Sequence, residues 1–220
     1  ANSVDARALL EALPCPVIPV VVIDRLADAV PLAEALLRGG VSALEITLRT
    51  PEGFAAISAM KSAFPEAAIG AGTVCSGDDY RRSVDAGADF IVSPGASEHL
   101  FAAAAKHDVP FVPGAVTGSE VISALEHGYV TLKFFPAETS GGAPAIKALS
   151  GPFPQVRFMP TGGITLENMS RYLDLDSVSA VGGSWLTPSS LMAAQRWDDV
   201  SQLASTTVAR VREINMESST

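Results

Sequence analysis

Ala43-Leu44-Glu45-Ile46-Thr47-Leu48-Arg49 alternates apolar and polar side chains without a break. Successive side chains of an extended strand point to opposite faces, so Leu44, Ile46 and Leu48 share one face while Glu45, Thr47 and Arg49 share the other. Outward from this strand, Gly39-Gly40 closes an apolar-periodic stretch over Ala27 to Arg38, and a second such stretch follows over Glu52 to Ala63. Glycine adopts the left-handed conformation that ends a helix at little steric cost. The local unit is therefore helix, glycine turn, strand, helix.

That unit recurs along the chain. Strands are predicted at Val17 to Ile23, Ala43 to Leu48, Ala67 to Ala71, Phe90 to Val92, Pro110 to Val112, Val130 to Phe134, Val156 to Met159 and Val178 to Val181. Helices are predicted at Ala27 to Arg38, Glu52 to Ala63, Gly77 to Ala86, Glu98 to His107, Ser119 to His127, Ala143 to Leu149, Leu166 to Leu173 and Asp198 to Ile214. Gly87 and Gly128 close two of them, and Leu9, Leu10 and Leu13 predict one more helix ahead of the first strand. Strands separated by helices pair in parallel, because each crossover returns the chain to the same end of the sheet. Eight such units in 220 residues predict a single-domain α/β protein over residues 1–220, a (β/α)8 TIM barrel with an extra N-terminal helix. The rival is an open doubly wound sheet. No Gly-x-Gly-x-x-Gly opens the first unit, which disfavours the dinucleotide-binding form of that rival.

Composition narrows the function. With 48% hydrophobic and 18% charged residues the chain can bury enough apolar surface to fold, which excludes intrinsic disorder. Lys and Arg number 15 against 24 Asp and Glu, a net charge of −9 that repels polyanions and argues against nucleic acid or an anionic membrane as partner. A local cationic pocket stays open. The longest apolar runs, such as Val17 to Ile23, fall short of the roughly 20 residues that cross a bilayer. Asp5 and Glu11 near the start do not suit a signal peptide, so the expected compartment is the cytoplasm. Cys15 and Cys75 are expected there as free thiols, both small core residues.

In a barrel the chemistry sits at the carboxyl ends of the strands. Strand parity puts Glu45 and Arg49 inside, where a buried charge is costly unless it is paired or used. Either a structural ion pair or a functional one fits. In Val130-Thr131-Leu132-Lys133-Phe134-Phe135-Pro136 the same parity turns Thr131, Lys133 and Phe135 inward. Burial disfavours an ammonium and frees an amine that can attack a carbonyl. The alternative is a salt bridge from Lys133 to Glu45 or Glu138. Thr161-Gly162-Gly163-Ile164 and Gly182-Gly183-Ser184-Trp185 follow the last two strands, where glycine loops let backbone N–H groups approach a phosphate. Gly70-Ala71-Gly72-Thr73 and Ser93-Pro94-Gly95 are small and polar, leaving room for a compact substrate.

His99, His107 and His127 have no metal-ligand spacing and read as surface or helix-end residues; Trp185 and Trp197 read as packing. No metal site is expected. The residues alone leave open an imine-forming enzyme, a phosphosugar isomerase or epimerase with Glu45 as base, a metal-dependent aldolase, and a non-catalytic phosphate-ligand barrel.

Glu45 with Leu48-Arg49-Thr50, Gly70-Ala71-Gly72-Thr73-Val74, Ser93-Pro94-Gly95, Lys133-Phe134-Phe135-Pro136-Ala137-Glu138, Gly151-Pro152-Phe153, Pro160-Thr161-Gly162-Gly163-Ile164 and Gly182-Gly183-Ser184-Trp185 stand in this order. Together they resemble the 2-keto-3-deoxy-6-phosphogluconate (KDPG) aldolases over essentially the whole chain. The resemblance implies a class I lyase that cleaves KDPG to pyruvate and glyceraldehyde 3-phosphate through a Schiff base on Lys133. It implies Glu45 as general acid/base, Arg49 and Thr73 on the pyruvate carboxylate, Thr161 in the same pocket, Pro94 and Phe135 as its apolar wall, and Gly162, Gly163, Gly183 and Ser184 around the phosphate. It also implies a homotrimer without metal or cofactor. Cleavage of 4-hydroxy-2-oxoglutarate, which lacks the phosphate, is left undecided, as is the preference between the gluconate- and galactonate-derived keto acids.

Overall fold

The apolar runs become short parallel strands, β1 Val17–Val21, β2 Ala43–Thr47, β3 Ala68–Gly72, β4 Phe90–Val92, β5 Phe111–Val112, β6 Thr131–Phe134, β7 Arg157–Pro160 and β8 Val181–Gly183, in a computed structural model that describes residues 4–217. The ends of the expected domain, residues 1–3 and 218–220, lie outside the described residues. Between and around the strands run α1 Arg7–Glu11, α2 Ala29–Arg38, α3 Gly53–Ala63, α4 Gly77–Asp85, α5 Glu98–Ala104, α6 Gly118–Glu126, α7 Gly142–Ser150, α8 Ser170–Leu173, α9 Ser189–Ala193 and α10 Trp197–Glu217.

The sheet curls until it closes. Ladders join β5, β4, β3, β2, β1 and β8 in that order, and β6 pairs with β7. Single bridges complete the wall: Gly114 to Lys133 between β5 and β6, and Phe158 to Val178 and Thr161 to Gly182 between β7 and β8. The result is the expected barrel rather than an open sheet. Leu32, Leu36, Ile57 and Met60 on the surrounding helices bury against Leu44, Ile46, Ile69 and Ile91 of the strands.

The opposite end of the barrel is plugged. Leu10 of α1 packs with Ile18, Phe90, Val112 and Met159, so the predicted extra helix seals the amino ends of the strands. Asp5 accepts hydrogen bonds from the Val130 and Thr131 N–H groups and from the Thr131 hydroxyl at 2.7–2.9 Å. Small polar side chains fix where helices start: the Ser76 and Ser97 hydroxyls accept from Asp79 and Leu100 N–H, and Thr117 with Glu120 forms a reciprocal cap on α6. Gly40, Gly87 and Gly128 take φ of 100°, 92° and 85°, the helix-closing conformation their positions predict.

Some boundaries differ from the sequence reading. The helix expected from Leu166 is regular only over Ser170–Leu173; Thr165 and Asn168 exchange backbone-to-side-chain hydrogen bonds at its entry, and the residues between them form a turn. The last strand lies at Val181–Gly183 instead of Val178 to Val181; Gly182 and Gly183 carry no apolar signal yet pair with Ile18 and Pro19. A β-carbon on Gly182 would overlap the Thr161 side chain, so glycine is what lets β7 and β8 meet there. The short α9 after Pro188 had no readable period. Cys15 is buried as expected, whereas Cys75 is exposed on the loop after β3, not in the core. No described helix is long and apolar enough to cross a membrane.

Candidate active site

Glu45 is the third residue of β2, opposite Val20 on one side and Gly70 on the other. Its side chain points inward as parity requires and is fully buried. The space it occupies exists because Gly72 has no side chain: a β-carbon there would overlap the Glu45 carboxylate. Lys133 is the third residue of β6, held by its N–H to Pro113 O and by its carbonyl accepting from Ala115 N–H, both at 2.9 Å. Across the barrel its Nζ donates to Glu45 Oε1 at 3.2 Å, with Lys133 only 4% exposed and Glu45 0%. Nζ also lies 4.9 Å from the centre of the Phe135 ring.

Two buried oxygens at this end have no partner. Glu45 Oε2 and the Thr161 hydroxyl are closed to solvent and make no hydrogen bond among the described residues. An unsatisfied buried polar group costs about 1–3 kcal/mol, so its presence at a strand's carboxyl end marks a place prepared for a ligand. Thr47, also inward, is instead spent on the wall: its hydroxyl donates to Val21 O at 2.9 Å.

The other expected contacts ring this pair. Thr73 follows Gly72 directly, half-buried, with φ at 58°, an unusual value for a non-glycine residue. Pro94 is half-buried, and its carbonyl packs so closely against Gly114, the bridge partner of Lys133, that a side chain on Gly114 would overlap it. Ser93, buried beside it, accepts weakly from Gly114 N–H at 3.4 Å. Arg49 is the correction: β2 ends at Thr47, parity stops there, and Arg49 lies in the following turn, exposed at the mouth. It forms no ion pair with Glu45 among the described residues; the partner of that carboxylate is Lys133.

Gly162 and Gly163 take φ of 106° and 74°, and neither they nor Ile164 donates a backbone hydrogen bond among the described residues. Successive free N–H groups in left-handed conformations make a concave cradle for an anion. Gly183 is buried under the Trp185 ring, which leaves no room for a side chain. Ser184 is exposed and lines a cavity of about 690 Å³ with Val20, Arg25, Asp28 and Thr187. The sequence reading missed Arg25, which meets Asp28 at 2.9 Å; a lone cation after β1 carried no motif. It also missed that Gly72 makes the room for Glu45, although the Gly70-Ala71-Gly72 run was in view.

The environment of Cys75 disfavours the thiolate that a rival nucleophile needs. Partial burial first, and then the Asp79 charge, push its thiol up, with Lys133 pulling weakly the other way. The histidines stay outside the site: His127, for example, caps α6 and stacks on Phe101.

The sequence and the fold are similar to those of known proteins. A sequence model described as "KDPG and KHG aldolase" matches residues 10–203. The chain belongs to that aldolase family. It is 47% identical over 189 residues to the KHG/KDPG aldolase of Escherichia coli K12, covering 86% of this chain and 89% of that one. It is 44% identical over 197 residues to the 2-dehydro-3-deoxy-phosphogluconate aldolase of Pseudomonas aeruginosa, covering 90% of both. Among solved structures, the KDPG aldolase of Legionella pneumophila, with pyruvate captured as a covalent carbinolamine, superposes with a TM-score of 0.88 at 44% identity, over 91% of this chain and 97% of that one.

For this aldolase the Gly72 observation yields a direct expectation. Gly72→Ala displaces the Glu45 carboxylate, and turnover falls toward that of Glu45→Gln, while the far-ultraviolet circular dichroism stays that of the wild type. Unchanged turnover would mean that the carboxylate has another place to stand.

Proposed function

We propose that this aldolase cleaves KDPG to pyruvate and glyceraldehyde 3-phosphate through an imine on Lys133. The observation that carries the reading is the buried Lys133–Glu45 contact at 3.2 Å, set at the carboxyl ends of the strands. The Legionella relative's captured pyruvate supports it.

With its proton passed to Glu45, the Lys133 amine attacks the C2 carbonyl, forming a C–N bond and a carbinolamine. Glu45 returns that proton to the carbinolamine hydroxyl, which leaves as water, and the product is a protonated imine, a far better electron sink than the ketone. Glu45, through a water, then accepts the C4 hydroxyl proton. The C3–C4 bond breaks, its electron pair flows to the imine nitrogen to give an enamine, and C4 departs as the aldehyde of glyceraldehyde 3-phosphate. Protonation of the enamine at C3 and hydrolysis of the imine release pyruvate and restore the amine. Phe135 and Pro94 keep the reacting carbons dry. Thr161 and Thr73 offer hydroxyls to the pyruvate carboxylate, and the Gly162–Gly163 and Gly183–Ser184 loops receive the phosphate.

Arg49, at the mouth, meets that carboxylate with parallel N–H groups once substrate arrives. Arg49→Ala accordingly raises the KM for substrate on the order of tenfold and the half-saturating pyruvate concentration alike, with kcat little changed. An unchanged KM removes Arg49 from this role.

The reading extends to residues 1–220 as one barrel domain, to a homotrimer and to the cytoplasm. Both cysteines are free thiols, which suits a reducing compartment. A solution mass near three times 22.8 kDa supports the trimer, and a monomeric mass contradicts it. The function itself is tested by supplying KDPG, its C4 epimer and 4-hydroxy-2-oxoglutarate separately and measuring pyruvate. Release from KDPG is expected; release from none of them refutes the proposal.

A further inference from the structure

Outside the Lys133–Glu45 centre, a buried tyrosine and an exposed glutamate grip a substrate loop without belonging to it. Tyr172 of α8 is fully buried, and its hydroxyl donates to the Glu138 carboxylate. Glu138 lies just beyond β6, on the segment that leaves Lys133. Its N–H donates to Gly162 O at 3.1 Å, and the N–H of Ala137 donates to Thr161 O at 2.8 Å. Its side chain lies flat over Gly163, where a β-carbon would come within 2.7 Å of Glu138 Cγ. The loop whose free N–H groups form the anion cradle is thus clasped from below by Glu138, and Glu138 is clasped by Tyr172.

Charge makes the clasp more than packing. A carboxylate beside an anion cradle repels the ligand unless its oxygens are turned away and occupied. The Tyr172 hydroxyl occupies one of them, Oε1. Burial, then Glu138 itself, hold the phenol well above its ordinary range, so it stays a donor at every working pH.

We propose that Tyr172, acting through Glu138, is a positioning residue for the substrate's phosphoryl group: the pair sets the Gly162–Gly163 loop and holds the nearby carboxylate off the anion. The inference rests on the phosphate assignment proposed above. It predicts a selective loss, because the pyruvate end of the pocket does not depend on the clasp.

The test compares Tyr172→Phe, Glu138→Ala and Glu138→Gln with the wild type in two assays, KDPG cleavage and reductive trapping of pyruvate with borohydride. Tyr172→Phe and Glu138→Ala are expected to raise the KM for KDPG about tenfold, leaving kcat and the half-saturating pyruvate concentration within about twofold. Glu138→Gln keeps an acceptor for the tyrosine and stays near wild type. Glu138 is exposed, so its variants answer even if Tyr172→Phe fails to fold. Equal losses in both assays, or an unchanged KM for KDPG in Glu138→Ala, overturn the positioning role. Failure of the wild type to trap pyruvate or cleave KDPG would instead strike the parent reading.

Discussion

Lys133→Ala is expected to lose turnover of KDPG by roughly four to six powers of ten, the scale seen when a covalent nucleophile is removed and only binding remains. The loss lies in kcat, since the loops that receive the phosphate and the threonines near the carboxylate are untouched. The substitution also removes the only partner of a fully buried carboxylate among the described residues. Breaking one side of a buried ion pair costs about 3–5 kcal/mol, so the variant should melt earlier than the wild type. Stopped-flow pyruvate release and a thermal melt read the two effects separately. A variant that melts early yet keeps a tenth of the activity would make Lys133 a structural cation.

Glu45→Gln comes second, with a kcat lowered by about two to four powers of ten and a KM within a few-fold of wild type. Glutamine keeps the shape, fills the space left by Gly72 and can still face Lys133, but it cannot accept the C4 hydroxyl proton or return one to C3. A general base contributes on this scale, whereas a purely packing role predicts a change in stability with turnover intact. The contrast with Arg49→Ala is the useful one: proton transfer appears in kcat, carboxylate binding in KM. If Glu45→Gln instead raises KM and spares kcat, the two roles have been exchanged.

Most of the barrel was readable because its signals are local. The alternation through Ala43 to Leu48 fixed which side of β2 faces inward, and Glu45 lies where that parity puts it. Lys133 followed from the same rule on β6. Parity failed at Arg49 because it holds only while the chain stays extended, and β2 ends two residues earlier. The end of β8 was misplaced for a related reason: two glycines carry no apolar pattern, and what pairs them is the close approach of Thr161 from β7. α9 has five residues, too few for a period to declare itself.

Long-range relations were the illegible part. Glu138 stood in the Lys133-Phe134-Phe135-Pro136-Ala137-Glu138 motif, but nothing local told that Tyr172, 34 residues on, would hold it. Gly72 read as a small residue that leaves room for substrate; the structure gives that room to a catalytic candidate's own carboxylate. Cys75 read as core from its type alone, and its place on an exposed loop depends on where β3 stops. For Glu138 and Gly72 the missing information was which side chain arrives from elsewhere in the fold.

The most direct measurement is to incubate the protein with pyruvate and borohydride, digest it, and locate the modified peptide by mass spectrometry. A pyruvate-derived adduct on Lys133, absent without pyruvate and absent in Lys133→Ala, is the predicted result. No adduct, or one on another lysine such as Lys61 or Lys147, would contradict the imine at the centre of this account.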